Sequence, residues 1–173
     1  MNNTPAGIRA LGIDPGSQRT GWGVVEERSG VLRLVDCGTI HAIKQPGAAF
    51  SDRLAYIYNE LYAIIGRYCP QEAGIEQVFV SQNAASALKL GQARGVAVAA
   101  CAAHKVPVSD YEPTVIKKSL VGTGHADKKQ VSFMVGRLLG VKPDWGPDTG
   151  DALGVAICHL TMRRFAQLSK NCG

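Results

Sequence analysis

The sequence predicts an α/β protein built on one five-stranded mixed sheet flanked by helices, and three observations carry that expectation. An apolar run through Leu11 and Ile13 alternates large and small residues and stops at Asp14-Pro15-Gly16, as a short buried strand ending in a turn would. Two β-rich runs, 21–27 and 31–43, follow it and are separated only by Arg28-Ser29-Gly30, a hairpin signal that gives three antiparallel strands. A run of helical period comes next and precedes a fourth strand at 74–78. A helix between two strands of one sheet implies a crossover and a parallel pair.

The remaining elements follow in order. From Ser51, read as an N-cap, Leu54, Ile57, Tyr58, Leu61, Ile64, Ile65 and Tyr68 recur at helical spacing until Pro70. Residues 79–83 form a loop, and a long Ala- and Val-rich helix spans about 84–104. Its Gly91 and Gly95 are expected to pack closely on the sheet, with a helix-to-helix dimer contact as the second reading. Residues 106–111 form the last strand, and Pro113 opens a short helix that carries Lys117 and Lys118 and ends at Gly122. Asp127, with Gln130 three residues on, caps the next helix, whose apolar face is Val131, Met134, Val135, Leu138 and Leu139. After a Pro-bounded loop a final helix opens on Asp148-Thr149-Gly150-Asp151 and buries Ala152, Val155, Ala156, Leu160 and Met162.

With 173 residues, 46% of them hydrophobic, the chain reads as one domain, 1–173, able to bury its own core. Five cysteines make an odd number and no zinc pattern, which points to a reduced, cytoplasmic setting. No secretion signal opens the chain, and Lys89, Gln92 and Arg94 interrupt its longest small-apolar stretch, so no membrane span is expected. The formal charge of +5 suits a polyanionic partner without demanding one.

Chemistry enters with four carboxylates. Asp14 stands at a strand end, where open α/β sheets bind ligands, and Glu76 stands near the end of a parallel neighbour. Asp148 and Asp151, three residues apart, share a face of the last helix; capping of its free N–H groups explains them as well as catalysis does. Clustered, the four anions would raise one another's pKa values unless cations sat among them. Hard oxygen ligands suit Mg²⁺, and two such ions about 4 Å apart can activate water and stabilise the leaving oxygen of a phosphoryl displacement. The sequence therefore permits metal-assisted phosphodiester hydrolysis.

The stretches GIDPGSQRTGWGVV, IEQVF, NAASALKLGQARGVA, GTGHADKKQV and DTGDALGVAICH, in that order, resemble the bacterial RuvC Holliday junction resolvases across nearly the whole chain. The resemblance implies a ribonuclease H-like fold, three antiparallel strands followed by two parallel ones. It implies that Asp14, Glu76, Asp148 and Asp151 bind metal and act in catalysis, Asp148 being the position where some members carry His. It further implies Mg²⁺, two ions per subunit, with Mn²⁺ able to substitute, and a homodimer placing paired nicks in a four-way junction to leave 5′-phosphate and 3′-hydroxyl ends. Phe79 matches an aromatic that stacks on bases. Lys117 and Lys128 match lysines near the DNA backbone, with Lys118 and Lys129 beside them, and Lys128 also matches a stabiliser of charge at the scissile phosphate. Gln82 and Arg94 are rim candidates. Similar proteins act with RuvA and RuvB in recombination and DNA repair.

Two other readings compete. Asp14, Gly16 and Gly21 also satisfy the DxGxxxxG phosphate loop of actin-like ATPases, which need two such domains where this chain has length for one. A non-catalytic junction binder would be expected to lack one or more acids, and all four positions here are acidic. His41, His104, His125 and His159 are scattered and read as structural or surface residues. Cys158 and His159, adjacent on a helix, point in different directions and form no dyad.

Overall fold

The computed structural model describes residues 7–44, 49–77 and 83–171 of the chain. Strands β1 (Ile8–Asp14), β2 (Thr20–Arg28) and β3 (Val31–Ile40) form an antiparallel meander. A 3₁₀ turn (Ala42–Lys44) and helix α1 (Phe50–Tyr68) then carry the chain to β4 (Glu72–Glu76), which lies parallel to β1. Helix α2 (Ala84–Ala103) leads to β5 (Val108–Tyr111), parallel to β4, and α3 (Pro113–Val121), α4 (Lys128–Leu139) and α5 (Pro147–Asn171) complete the chain. The sheet order is β3-β2-β1-β4-β5, the three antiparallel and two parallel strands that the sequence predicts.

Strand alternation sends side chains to two cores. Leu11 and Ile13 of β1 join Val24 and Ile75, Ile57, Leu61 and Ile65 of α1, and Ala97, Ala100 and Cys101 of α2 on one side. On the other, Ala10 and Val25 meet Ile116 and Leu120 of α3, Val131, Val135 and Leu139 of α4, and Leu153, Val155 and Ile157 of α5. Helix α5 lies between the sheet and the α3–α4 pair, so residues 152–160 are buried on every face.

The contact of α5 with the sheet positions the site. Gly23, Gly12 and Gly74 are direct neighbours on β2, β1 and β4 and form a bare row beneath the helix. A Cβ on Gly12 would lie 2.0 Å from the carbonyl oxygen of Ala152 and 2.5 Å from the nitrogen of Ala156. On Gly23 it would lie 2.5 Å from Leu153 Cδ2, and on Gly74 3.0 Å from Val155 Cγ1. The helix thus docks close to main chain, at a distance only glycine permits. Asp14, two residues beyond Gly12 and on the same side of β1, comes to lie beside the first turn of α5.

Several boundaries differ from the sequence reading. β3 stops at Ile40, where the chain tightens into the 3₁₀ turn, and β5 begins at Val108 because Pro107 has no N–H and only accepts, from Ala73 N at 2.9 Å. β4 spans 72–76 rather than 74–78, and Val78 lies outside the described residues. Ser51 is not the cap of α1: the helix starts at Phe50, and the Asp52 carboxylate accepts from the Ala49 N–H at 3.0 Å. Asp127 caps α4 as expected, accepting from Gln130 N at 2.9 Å while Gln130 Oε1 accepts from Asp127 N at 3.0 Å. Leu138, read as buried, turns outward at 38% exposure. Gly91 and Gly95 do not pack on the sheet. Ala93, Ala97, Ala100 and Cys101 form the buried face of α2, and a Cβ on either glycine would meet nothing within 4 Å.

Candidate active site

Parallel strands bring their C-terminal ends to the same edge of a sheet. Because Ile13 pairs with Ile75, Asp14 and Glu76 end neighbouring strands side by side. The glycine row sets the first turn of α5 over that edge and adds Asp148 and Asp151 from above. The helix begins at Pro147, so Asp148 lies within its first turn rather than at the cap position that a capping role would require. All four carboxylates line one cavity of about 360 Å³, together with Lys117 of α3, Lys128 of α4 and an apolar wall of Pro113, Ile116 and Val131.

Four carboxylates face two ammonium groups, and the acidity of Asp14 and Glu76 is perturbed. Burial, then repulsion from Glu76, Asp151 and Asp148, pushes the Asp14 carboxyl up to about 8, with Lys128 pulling the other way. Glu76 is also raised, by burial and by Asp151; Lys128, a hydrogen bond from Asp14 and Lys117 oppose the shift. Lys128 Nζ lies 3.2 Å from Asp151 Oδ2, and that carboxylate raises its pKa. The lysine side chain is 77% exposed, so it can leave this pairing at small cost.

The donor set fits hard divalent cations. Four oxygen-bearing acids converge on one cavity, and burial together with repulsion from the other three pushes the Asp14 carboxyl up to about 8. The acids stand open rather than as a closed cage: among the described residues, no three His, Cys, Asp or Glu side chains are grouped tightly enough to hold a metal ion as they stand. A cation would have to draw them in against their mutual repulsion.

The other sequence candidates fall outside this cavity. Lys129 lines a neighbouring cavity that shares Lys128 and Asp151 with the first, and Lys118 is exposed on α3. Arg94 ion-pairs with Asp110 and does not line the carboxylate cavity. Phe79 and Gln82 lie outside the described residues.

Two supporting features escaped the sequence reading. Thr149, buried between the two aspartates of α5, meets the Thr39 hydroxyl of β3 at 2.8 Å and ties the helix start to the sheet. His159, further along α5 and buried, is held by Tyr111 Oη at 2.9 Å on Nδ1 and by Glu72 Oε2 at 2.8 Å on Nε2. Arg163 Nε also donates to Glu72, at 2.9 Å. The structural role expected of His159 is the one it has, although nothing in local sequence links positions 72, 111 and 159. Cys158 beside it is buried, and its thiol pKa is raised by burial, the opposite of an activated nucleophile. Among the described residues no helix is long and apolar enough to cross a membrane.

Comparison with known proteins gives a consistent set of matches. The model of the family described as crossover junction endodeoxyribonuclease RuvC matches residues 10–159. The crossover junction endodeoxyribonuclease RuvC of Oleidesulfovibrio alaskensis is 65% identical over 166 residues, which cover 96% of this chain and 98% of that protein. The protein of the same name from Nitratidesulfovibrio vulgaris is 60% identical over 164 residues, covering 95% and 97%. Among solved structures, T. thermophilus RuvC in complex with Holliday junction substrate aligns with a TM-score of 0.86 at 30% identity, covering 92% of this chain and 96% of that one. A yeast mitochondrial Holliday junction resolvase aligns at 0.66 with 12% identity, over 96% and 86%, a likeness of fold alone.

Proposed function

Because the chain belongs to the crossover junction endodeoxyribonuclease RuvC family, we propose that it resolves four-way DNA junctions by paired symmetric nicks, in recombination and DNA repair. It is an endodeoxyribonuclease on a ribonuclease H-like fold. One observation carries the mechanistic reading: four carboxylates from β1, β4 and α5 line a single cavity and are short of compensating charge.

Asp14, Glu76, Asp148 and Asp151 would hold Mg²⁺, two ions per subunit, with Mn²⁺ as a substitute. Bound there, divalent cations supply Lewis-acid polarisation of the phosphate and a lowered pKa for an attacking water. The chain's own part is to bind and orient. Asp14 must release its proton to become a ligand, which ties metal affinity to pH. Lys128, exposed and paired with Asp151, is free to turn to an incoming phosphate and offset charge that develops on it. Lys117 lines the same cavity and opposes the rise in the Glu76 pKa. Lys118 and Lys129, outside the cavity, would hold the flanking backbone through contacts that weaken with salt, and Phe79 would stack on bases near the cut. The products carry 5′-phosphate and 3′-hydroxyl ends.

The working unit would be a homodimer, since a two-fold pair matches a junction of near two-fold symmetry and each subunit then cuts once. The open glycine face of α2 supports that reading: Gly91 and Gly95 leave room for another helix to approach. We take residues 1–173 as one domain that works in the cytoplasm with RuvA and RuvB.

The test is cleavage of a labelled, mobile four-way junction by wild type and Asp14→Asn, in Mg²⁺ or EDTA, with binding followed in parallel. Symmetric nicks that need both Mg²⁺ and Asp14, with binding retained by the variant, are expected. Binding without any cutting in Mg²⁺ or Mn²⁺ would overturn the nuclease reading.

A further inference from the structure

A second cavity, of about 200 Å³, opens between the first turn of α4 and the loop that enters α5. It shares Lys128, Val131 and Asp151 with the carboxylate cavity, so the two are contiguous. Its other lining residues are Trp145, Gly146, Pro147 and Gly150, with Ser132 and Lys129 contributed by α4. A basic and apolar cavity beside an acidic one is an unusual neighbour for a purely structural void, because it offers a flat aromatic surface, a hydroxyl and an ammonium group together.

The seat of Trp145 sharpens the point. The indole rests on Gly150, where a Cβ would lie 2.9 Å from its Nε1 and 3.1 Å from its Cδ1. Nε1 is buried there with no hydrogen-bond partner among the described residues. An unpaired buried donor is costly and calls for an explanation. The hydrogen-bonding end of the ring lies against Gly150, and the half-buried side chain, packed on the core on one side, lines the cavity on another.

A strand whose scissile phosphate lies against the carboxylates can carry a neighbouring nucleotide past Lys128 and Asp151 into the second cavity, since the two are contiguous. An apolar cavity of about 150 Å³ already holds a benzene ring, so this one has room for a nucleobase and none for a base pair. We infer that it receives one unstacked nucleobase adjacent to the cut, held on the indole of Trp145, with the Ser132 hydroxyl at its edge and Lys129 on the flanking phosphate. Stacking of this kind tolerates any base and favours junctions, whose strands are already partly unpaired near the crossover. The inference rests on the endonuclease reading of the carboxylate cavity.

The experiment uses junctions carrying a single abasic site at successive positions around the cut, with wild type, Trp145→Ala, Trp145→Phe, Ser132→Leu and Lys129→Ala. In wild type, one abasic position next to the cut slows cleavage about tenfold, the range expected for losing one base–aromatic stack. Trp145→Ala slows cleavage of the intact junction by a similar factor, and at that one position the abasic site then adds nothing, as a shared interaction requires. Trp145→Phe keeps most of the rate. If Trp145→Ala fails to fold, Ser132→Leu, which fills the cavity, must show the same slowing and the same insensitivity to that abasic site. The inference is overturned if the abasic and Trp145 effects multiply, if Trp145→Ala cuts like wild type, or if Lys129→Ala alone reproduces the whole loss, which would leave a phosphate contact without a base. A wild type that cuts no intact junction would instead defeat the endonuclease reading, a separable outcome.

Discussion

Removing the Asp14 charge should make the metal-free protein more stable while abolishing cleavage. The folded state holds this carboxyl near 8 instead of the ordinary 3.8, so folding favours its protonated form. The sign follows from linkage: below about pH 4 the group is protonated in both states and costs nothing. As pH rises from there to about 8, the unfolded chain ionises and the folded one does not, so stability is lost progressively, and above about 8 the difference is constant. Each unit is about 1.4 kcal/mol, and a little over three units separate 3.8 from neutrality, which bounds the cost near pH 7 at about 4 kcal/mol. Asp14→Asn keeps the shape of the protonated carboxyl and a donor toward Glu76, and removes the titration. Urea unfolding in EDTA at several pH values between about 5 and 8 should show the variant more stable by about 2–4 kcal/mol near pH 7, with the gap widening as pH rises. Saturating Mg²⁺ should narrow the gap, because cations that bind only the folded state stabilise it by mass action. A variant no more stable than wild type near pH 7, or a gap that does not depend on pH, would refute the reasoning.

Other expectations follow from the same geometry. If a cation must displace the Asp14 proton, the Mg²⁺ concentration for half-saturation, measured by calorimetry, should fall up to about tenfold per unit between about pH 6 and 8 and then level off; a flat profile would contradict the raised acidity of Asp14. Gly12→Ala places a methyl 2.0 Å from the Ala152 carbonyl and should cost about 3 kcal/mol or more in urea unfolding, since main chain cannot swing aside. Gly91→Ala, with open space around it, should instead stabilise the dilute protein by about 0.5–1 kcal/mol through helix propensity. Tyr111→Phe removes the hydroxyl hydrogen-bonded to His159 Nδ1 and should cost about 1–3 kcal/mol in stability, while leaving Mg²⁺ affinity unchanged by calorimetry.

The sequence could be read wherever the signal was local. Alternation ending at Asp14, the helical period from Leu54 to Tyr68 and the Asp127–Gln130 capping box are each contained in a few consecutive residues, and each became the element it predicted. The four acids were legible because each sits at the start or end of an element. What could not be read depends on pairing across distance. Gly12, Gly23 and Gly74 are unremarkable singly, and their meaning appears only when strand register lays them side by side. The linkage of Glu72, Tyr111 and His159 joins three elements for the same reason. The low amphipathicity of α2 explains the error there: nearly all its residues are small and apolar, so periodicity did not reveal that Ala93 and Ala97 face inward and Gly91 and Gly95 outward. Asp148 lies two residues inside the cap position, because Pro147, with its preset φ, opens the helix.

The glycine row also decides how this scaffold could come to prefer a different ion. Coordination distances for Mg²⁺ and Ca²⁺ differ by only about 0.3–0.5 Å. Along the glycine row the sheet offers no side chain whose lengthening would shift the helix by so little, because any addition at Gly12 is a collision of more than an ångström. Selectivity would have to be retuned through the reach of the acids themselves, by exchanging Asp for Glu at positions 14, 148 or 151 or Glu for Asp at position 76, while the gap between helix and sheet stays constant as a fixed gauge.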